Sequence, residues 1–165
     1  MDTSDFVRVV LIGIGATAIV DLWSIARKRL FNVPLPNFGL VGRWFAHMSR
    51  GCFRHDSIAA APAFARERLI GWTAHYLIGI AFAVVLVSVQ GVAWLREPTI
   101  GPALAVGIAT VVFPLLLMQP GMGAGIAASR APRPAFVRIQ SLLTHAVFGL
   151  GLFATARLFN ILYPT

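Results

Sequence analysis

The sequence predicts an all-α membrane protein with four transmembrane helices, both termini outside, and a cytoplasmic first loop containing an interfacial helix. Three observations predict it. Hydrophobic residues make up 58% of the 165 residues and charged ones only 12%; with a mean hydropathy of +0.78 this is more apolar surface than a water-soluble core needs. The apolar residues fall into four runs, each about as long as the 20 helical residues that cross a hydrocarbon layer about 30 Å thick. The cations are sorted between those runs rather than scattered through them.

The spans are expected at about 6–26, 69–95, 99–118 and 141–162 within one integral-membrane domain, 1–165. Eight cations (Arg27, Lys28, Arg29, Arg43, Arg50, Arg54, Arg66 and Arg68) lie in the loop 27–68, and three (Arg130, Arg133 and Arg138) in the loop 119–140, so these loops take eleven of the fourteen. Positively charged loops resist translocation, which puts both in the cytoplasm. Trp23 and Trp72 then fall at the inner interface, Trp94 and Tyr163 at the outer one. Arg8 and Arg157 lie near outer helix ends, where a long side chain reaches water. With Asp2 and Asp5 in place of a basic leader and "ARKRL" after the first span, no cleavage is expected.

Within the first loop, Leu40, Val41, Trp44, Phe45 and Met48 recur at helical spacing, which predicts a short helix on the inner leaflet. Asp56 or Ser57 is expected to cap a helix beginning near Pro62 and running into the second span. The group His47, Arg54, His55 and Asp56 is chemically capable, although a polar turn held by its own side chains uses the same residues. Cys52 is the single cysteine; it reads as a small structural residue, with no second cysteine for a disulfide or a shared metal. Pro114 should bend the third span by freeing the carbonyl of Thr110.

In "MQPGMGAGIAASRAPRP" the alternate glycines Gly121, Gly123 and Gly125 would let backbone amides approach an anion. Neither the lysine and hydroxyl residue of a phosphate loop nor a preceding strand accompanies them, so close packing or a flexible connection is the competing reading. "RLIGWTAHYLIG" from Arg68 and "RIQSLLTHAVFG" from Arg138 share arginine, histidine and glycine at matching positions, a weak internal repeat.

Spacing converts to depth at 1.5 Å per residue. His75 and His145 each follow a boundary arginine by seven residues, about 10 Å inside it, and Asp21 precedes Arg27 by six, at about 9 Å. The three share one expected layer, which Gln119 could join, facing the bundle interior on helix faces that also carry the small residues Gly13, Thr17, Ser24, Gly71, Gly79, Ser141 and Gly149. Four readings compete for this layer: a hydrogen-bonded staple that locks helix register, a proton or ion pathway, a haem or transition-metal site with His75 and His145 as ligands, and a lipid-acting enzyme. Enzyme activity is least favoured, because no serine, cysteine or paired carboxylates form a convincing nucleophile. As function, the sequence suggests a membrane component that supports transport or stabilises an assembly, and no cofactor is expected first. Anionic headgroups are the expected partner of the net charge of +8, with homo-oligomerisation but not nucleic acid.

The stretches "GRWFAHM", "FRHDSI", "GWTAHYLIGIAFA" and "MQPGMGAGIAASRAPRP", in this order, resemble a family of small bacterial integral-membrane proteins known only as a domain of unknown function. The resemblance implies a four-span protein of the bacterial cytoplasmic (inner) membrane. It brings no activity, cofactor or catalytic residue to any position.

Overall fold

The computed structural model describes residues 2–163, and among these every regular element is helical. Four helices are long and apolar enough to cross a membrane: Thr3–Phe31, Glu67–Gln90, Ile100–Gly121 and Pro134–Leu162. The chain is therefore a multi-pass membrane protein.

Helix α1, Thr3–Phe31, starts at a capping box in which Asp2 accepts from the Asp5 amide and the Asp5 carboxylate accepts from the Asp2 amide. The Asp5 amide, then the Ser4 hydroxyl, hold the Asp2 carboxyl below its ordinary pKa. Asn32 ends the helix in the left-handed region, φ 53°, donating to the carbonyl of Lys28. The helix thus continues past the expected boundary at Ala26, because Arg27, Lys28 and Arg29 break the apolar run without breaking the helix. The interfacial-helix sequence forms α2, Phe38–Met48. Helix α3, Glu67–Gln90, stops where Gly91 turns left-handed at φ 81°. Residues 93–95, expected at the end of the second span, instead enter a separate turn, α4, Ala93–Arg96. Trp94 lies 5% exposed with its indole donating to the Thr99 carbonyl, so it is a core residue rather than an interface anchor.

The third span opens with α5, Ile100–Ala109, is interrupted by a turn at residues 110–111, and passes through a π-helical turn, Pro114–Met118, into α6, Gln119–Gly121. The α-helical winding is interrupted at Thr110 and Val111, upstream of Pro114, and the turn that begins at the proline is widened. A 3-10 turn, Ile126–Ala128, precedes α7, Pro134–Leu162.

The chain forms two compact units. The first comprises the chain up to Leu35, Tyr76–Thr110 and the chain from Thr144. Its core is built at helical spacing from Val9, Ile12, Ala16 and Val20 of α1, Leu86 of α3, and Phe148, Leu152 and Ala156 of α7. Backbones approach closely at small residues: a Cβ on Gly13 would lie 2.6 Å from Ile80 Cα, and one on Gly107 2.5 Å from Gly149 Cα. This is how helices associate where lipid removes any hydrophobic drive between them. Asn160 of α7 donates to the carbonyls of Leu95 and Arg96 at 2.9 Å each, satisfying the open end of α4. Large apolar side chains such as Leu22 (65%) and Leu77 (59%) stay exposed, as a lipid-facing wall requires.

The second unit, Pro36–His75 with Val111–Leu143, holds α2, the loop after it, the first turns of α3, the π turn, α6 and the start of α7. Here α2 and α3 cross backbone to backbone. A Cβ on Gly42 would overlap the Glu67 carbonyl, and one on Gly71 the Phe38 carbonyl. The segment 57–66 does not extend α3 back to Pro62. Its carbonyls turn instead toward Arg43, and Arg66 is left-handed at φ 62°.

Candidate functional site

Two sets of groups have functional potential: the ionisable residues inside the spans and the cluster in the loop after α2. Among the first, Asp21 lies on the α1 face that carries Thr17 and Ser24. Its Oδ2 accepts the Tyr76 hydroxyl at 2.9 Å. On α7, His145 meets Thr110 at the end of α5. The Thr110 hydroxyl donates to the Gly107 carbonyl at 2.6 Å, which leaves its oxygen to accept from His145 Nδ1–H at 2.9 Å. The same N–H lies 3.3 Å from the Gly107 carbonyl, so Nε2 carries the lone pair. Phe82 packs near the imidazole, 6.4 Å between ring centroids.

In the second unit, His75 stacks on Phe38 at 4.2 Å and meets Trp72 edge-on at 5.8 Å. Gln119 is 8% exposed; its Nε2 donates to Ser141 Oγ at 3.4 Å, while Oε1 has no partner among the described residues. Asp21 and His145 thus belong to the first unit, and His75 and Gln119 to the second. Tyr76 and Thr110 are the partners that counting ionisable residues along the sequence passes over, since neither side chain is charged.

The loop cluster is organised by Arg43. Its Nε and Nη2 donate to Glu67 at 2.8 and 2.9 Å, a two-pronged ion pair, while Nη1 reaches the carbonyls of Ala61, Ala59 and Ile58 at 2.9, 3.1 and 3.4 Å. The Glu67 carboxylate raises the Arg43 pKa above its ordinary value, outweighing the opposing effect of burial. Glu67 Oε2 also accepts the Phe64 amide at 3.1 Å, closing the loop onto the start of α3.

Held by this frame, His47 and His55 come together with ring centroids 4.8 Å apart. Arg54 and Asp56, expected in the same group, are exposed. Cys52 takes a place beside the imidazoles, its Sγ 3.5 Å from His55 Nε2. The spacing H-x4-C-x2-H around the end of α2 was the available signal for it.

The glycine segment packs against the same loop. Gly121 accepts the His55 amide at 2.9 Å and lies under Trp44, whose indole donates to Phe53 at 3.0 Å. Gly123 (φ 97°) sits against the Asp56 carbonyl, and its amide donates to Pro120. Gly125 (φ 77°) packs against Ser129. At Gly123 both the positive φ and the close approach require a residue without a Cβ.

No curated protein and no solved structure is significantly similar to the chain. A family profile described as "Protein of unknown function (DUF2938)" matches residues 10–159, nearly the whole chain, including both histidine-bearing spans and the loop cluster. The protein therefore belongs to this family of unknown function.

Proposed function

We propose that the protein is a structural component of the bacterial cytoplasmic membrane in which Asp21, His75, His145 and Gln119 hold membrane helices in register. The carrying observation is the hydrogen bond from Tyr76 to Asp21, an interhelical contact in which a neutral hydroxyl satisfies an acidic group. The Thr110 and His145 pair supports the same reading, since the imidazole is tied to a hydroxyl and a carbonyl that do not exchange protons readily. Register-holding polar contacts favour an assembly role over transport.

In this reading both termini lie outside, and the loop carrying α2 faces the cytoplasm, where its arginines meet anionic headgroups. A second copy of the chain would pack on the third span, of which only 17% is buried against 39% for the first. Access of a membrane-impermeant maleimide to the exposed Cys52 tests the orientation. Labelling is expected in inverted vesicles and not in intact cells; the opposite pattern reverses the topology.

The register role is tested by a double-mutant cycle. Tyr76→Phe is expected to lower stability in detergent by about 1 kcal/mol, and Asp21→Asn combined with it should cost less than the two single changes added together. Additive losses would remove the coupling on which the reading rests. A haem reading of the same residues draws on the His145 Nε2 lone pair. It requires a Soret band in the purified protein, which we do not expect.

A further inference from the structure

The geometry points to a transition-metal site, of the kind that takes zinc, formed by His47, Cys52 and His55 in the loop after α2. One donor atom from each of the three residues lies within 4.8 Å of the others. The distances suit a tetrahedral ion. Zinc bonds of about 2.3 Å to sulfur and about 2.0–2.1 Å to nitrogen place thiolate and imidazole donors about 3.6 Å apart, and Cys52 Sγ lies 3.5 Å from His55 Nε2.

Carbonyl contacts fix the tautomers of both imidazoles. His55 Nδ1 lies 3.3 Å from the Gly121 carbonyl, and a carbonyl only accepts, so Nδ1 carries the proton and Nε2, beside Cys52, carries the lone pair. His47 Nε2 lies 3.1 Å from the Pro62 carbonyl, which by the same reasoning leaves Nδ1 with the lone pair. An imidazole that gives its second N–H to a carbonyl is the usual outer support of a metal ligand, fixing tautomer and ring direction together. Here the two supports come from separate segments. His47 is held in addition edge-on to Phe64 at 4.8 Å, and the His55 amide is fixed at 2.9 Å to Gly121.

Donor chemistry selects the ion. Two neutral nitrogens and one sulfur suit zinc or a similar borderline-soft cation, whereas magnesium and calcium require oxygen ligands, and no carboxylate belongs to the set. On binding, the Cys52 thiol proton passes to solvent and the sulfur gains the metal bond. Three protein ligands leave a fourth position for water, and Cys52 is exposed. None of the three ligands is among the residues proposed to hold helix register.

The test uses the full-length protein in detergent, reduced and stripped of metal. Cobalt(II) is expected to produce a thiolate-to-metal charge-transfer band that saturates at one equivalent per chain and is bleached by zinc. With a single cysteine in the chain, that band can arise only at Cys52. His55→Gln and His47→Gln should each weaken zinc binding by about tenfold or more. Zinc should also slow alkylation of Cys52 in the unsubstituted protein, a readout that survives if a variant fails to fold. No charge-transfer band, unchanged zinc affinity in both histidine variants, or an alkylation rate indifferent to zinc would each overturn the site.

Discussion

Gly71→Leu is expected to separate α2 from α3 and to lower the stability of the detergent-solubilised protein by about 3 kcal/mol or more. A side chain at this position has nowhere to go. Its Cβ would overlap the Phe38 carbonyl and lie 3.0 Å from the Gly42 amide nitrogen, both backbone atoms of a packed helix. Flexible side chains swing aside from such a clash, whereas backbone moves only if α2 moves with it. The crossing is reciprocal, because a Cβ on Gly42 would meet Glu67 and Gly71 backbone, so Gly42→Leu should behave alike. Gly101 has nothing within 4 Å of an added Cβ. Gly101→Ala should therefore be neutral or stabilising by up to about 1 kcal/mol. Thermal unfolding of the three variants in one detergent checks the order; equal behaviour of Gly71→Leu and Gly101→Ala would show that the helices do not touch at Gly71.

Arg43→Ala should release the segment 57–66 while leaving the spans intact. One guanidinium there serves both oxygens of Glu67 and three carbonyls, and its loss strands all of these acceptors at once. Lysine should not rescue it, since an ammonium lacks the planar fork that meets a carboxylate and the carbonyls together. Trypsin supplies the measurement, because Arg54 and Arg66 flank the segment. Cleavage there is expected to accelerate on the order of tenfold or more in Arg43→Ala and Arg43→Lys, with smaller change in Glu67→Gln, which keeps one oxygen acceptor. Unchanged cleavage would mean that other contacts hold the loop.

Hydropathy made the four spans legible because it measures what lipid tolerates. It marks the apolar cores and not the helix ends for the same reason. Helix α1 runs on through Arg27, Lys28 and Arg29, and α7 begins at Pro134, before the apolar run. Helix propensity does not stop where hydrophobicity does. Of the small residues expected on contact faces, Gly13, Gly71 and Gly149 lie at close backbone approaches and Gly79 lies against the Thr17 hydroxyl, because small size decides where helices can meet. Gly71 nonetheless meets α2 rather than another span. Pro62 gave a plausible helix start, but Arg43 and Glu67, 24 positions apart, draw the intervening chain into a different path that local reading does not register. Cys52 reads as a small structural residue when cysteines are matched only with cysteines, whereas its neighbours are imidazoles three and five residues away.

The π turn after Pro114 carries a consequence for rotation. A π turn holds one residue more than an α turn, so removing Leu116 would let the segment relax to ordinary winding. An α turn and a π turn each complete one revolution, so the residues that follow would keep their direction instead of swinging by the ~100° that a deletion from ordinary α winding causes. Gln119 would still face Ser141, to which it donates. The widened turn acts as a slack loop of winding: it takes up one residue of chain length without altering which way Gln119 faces.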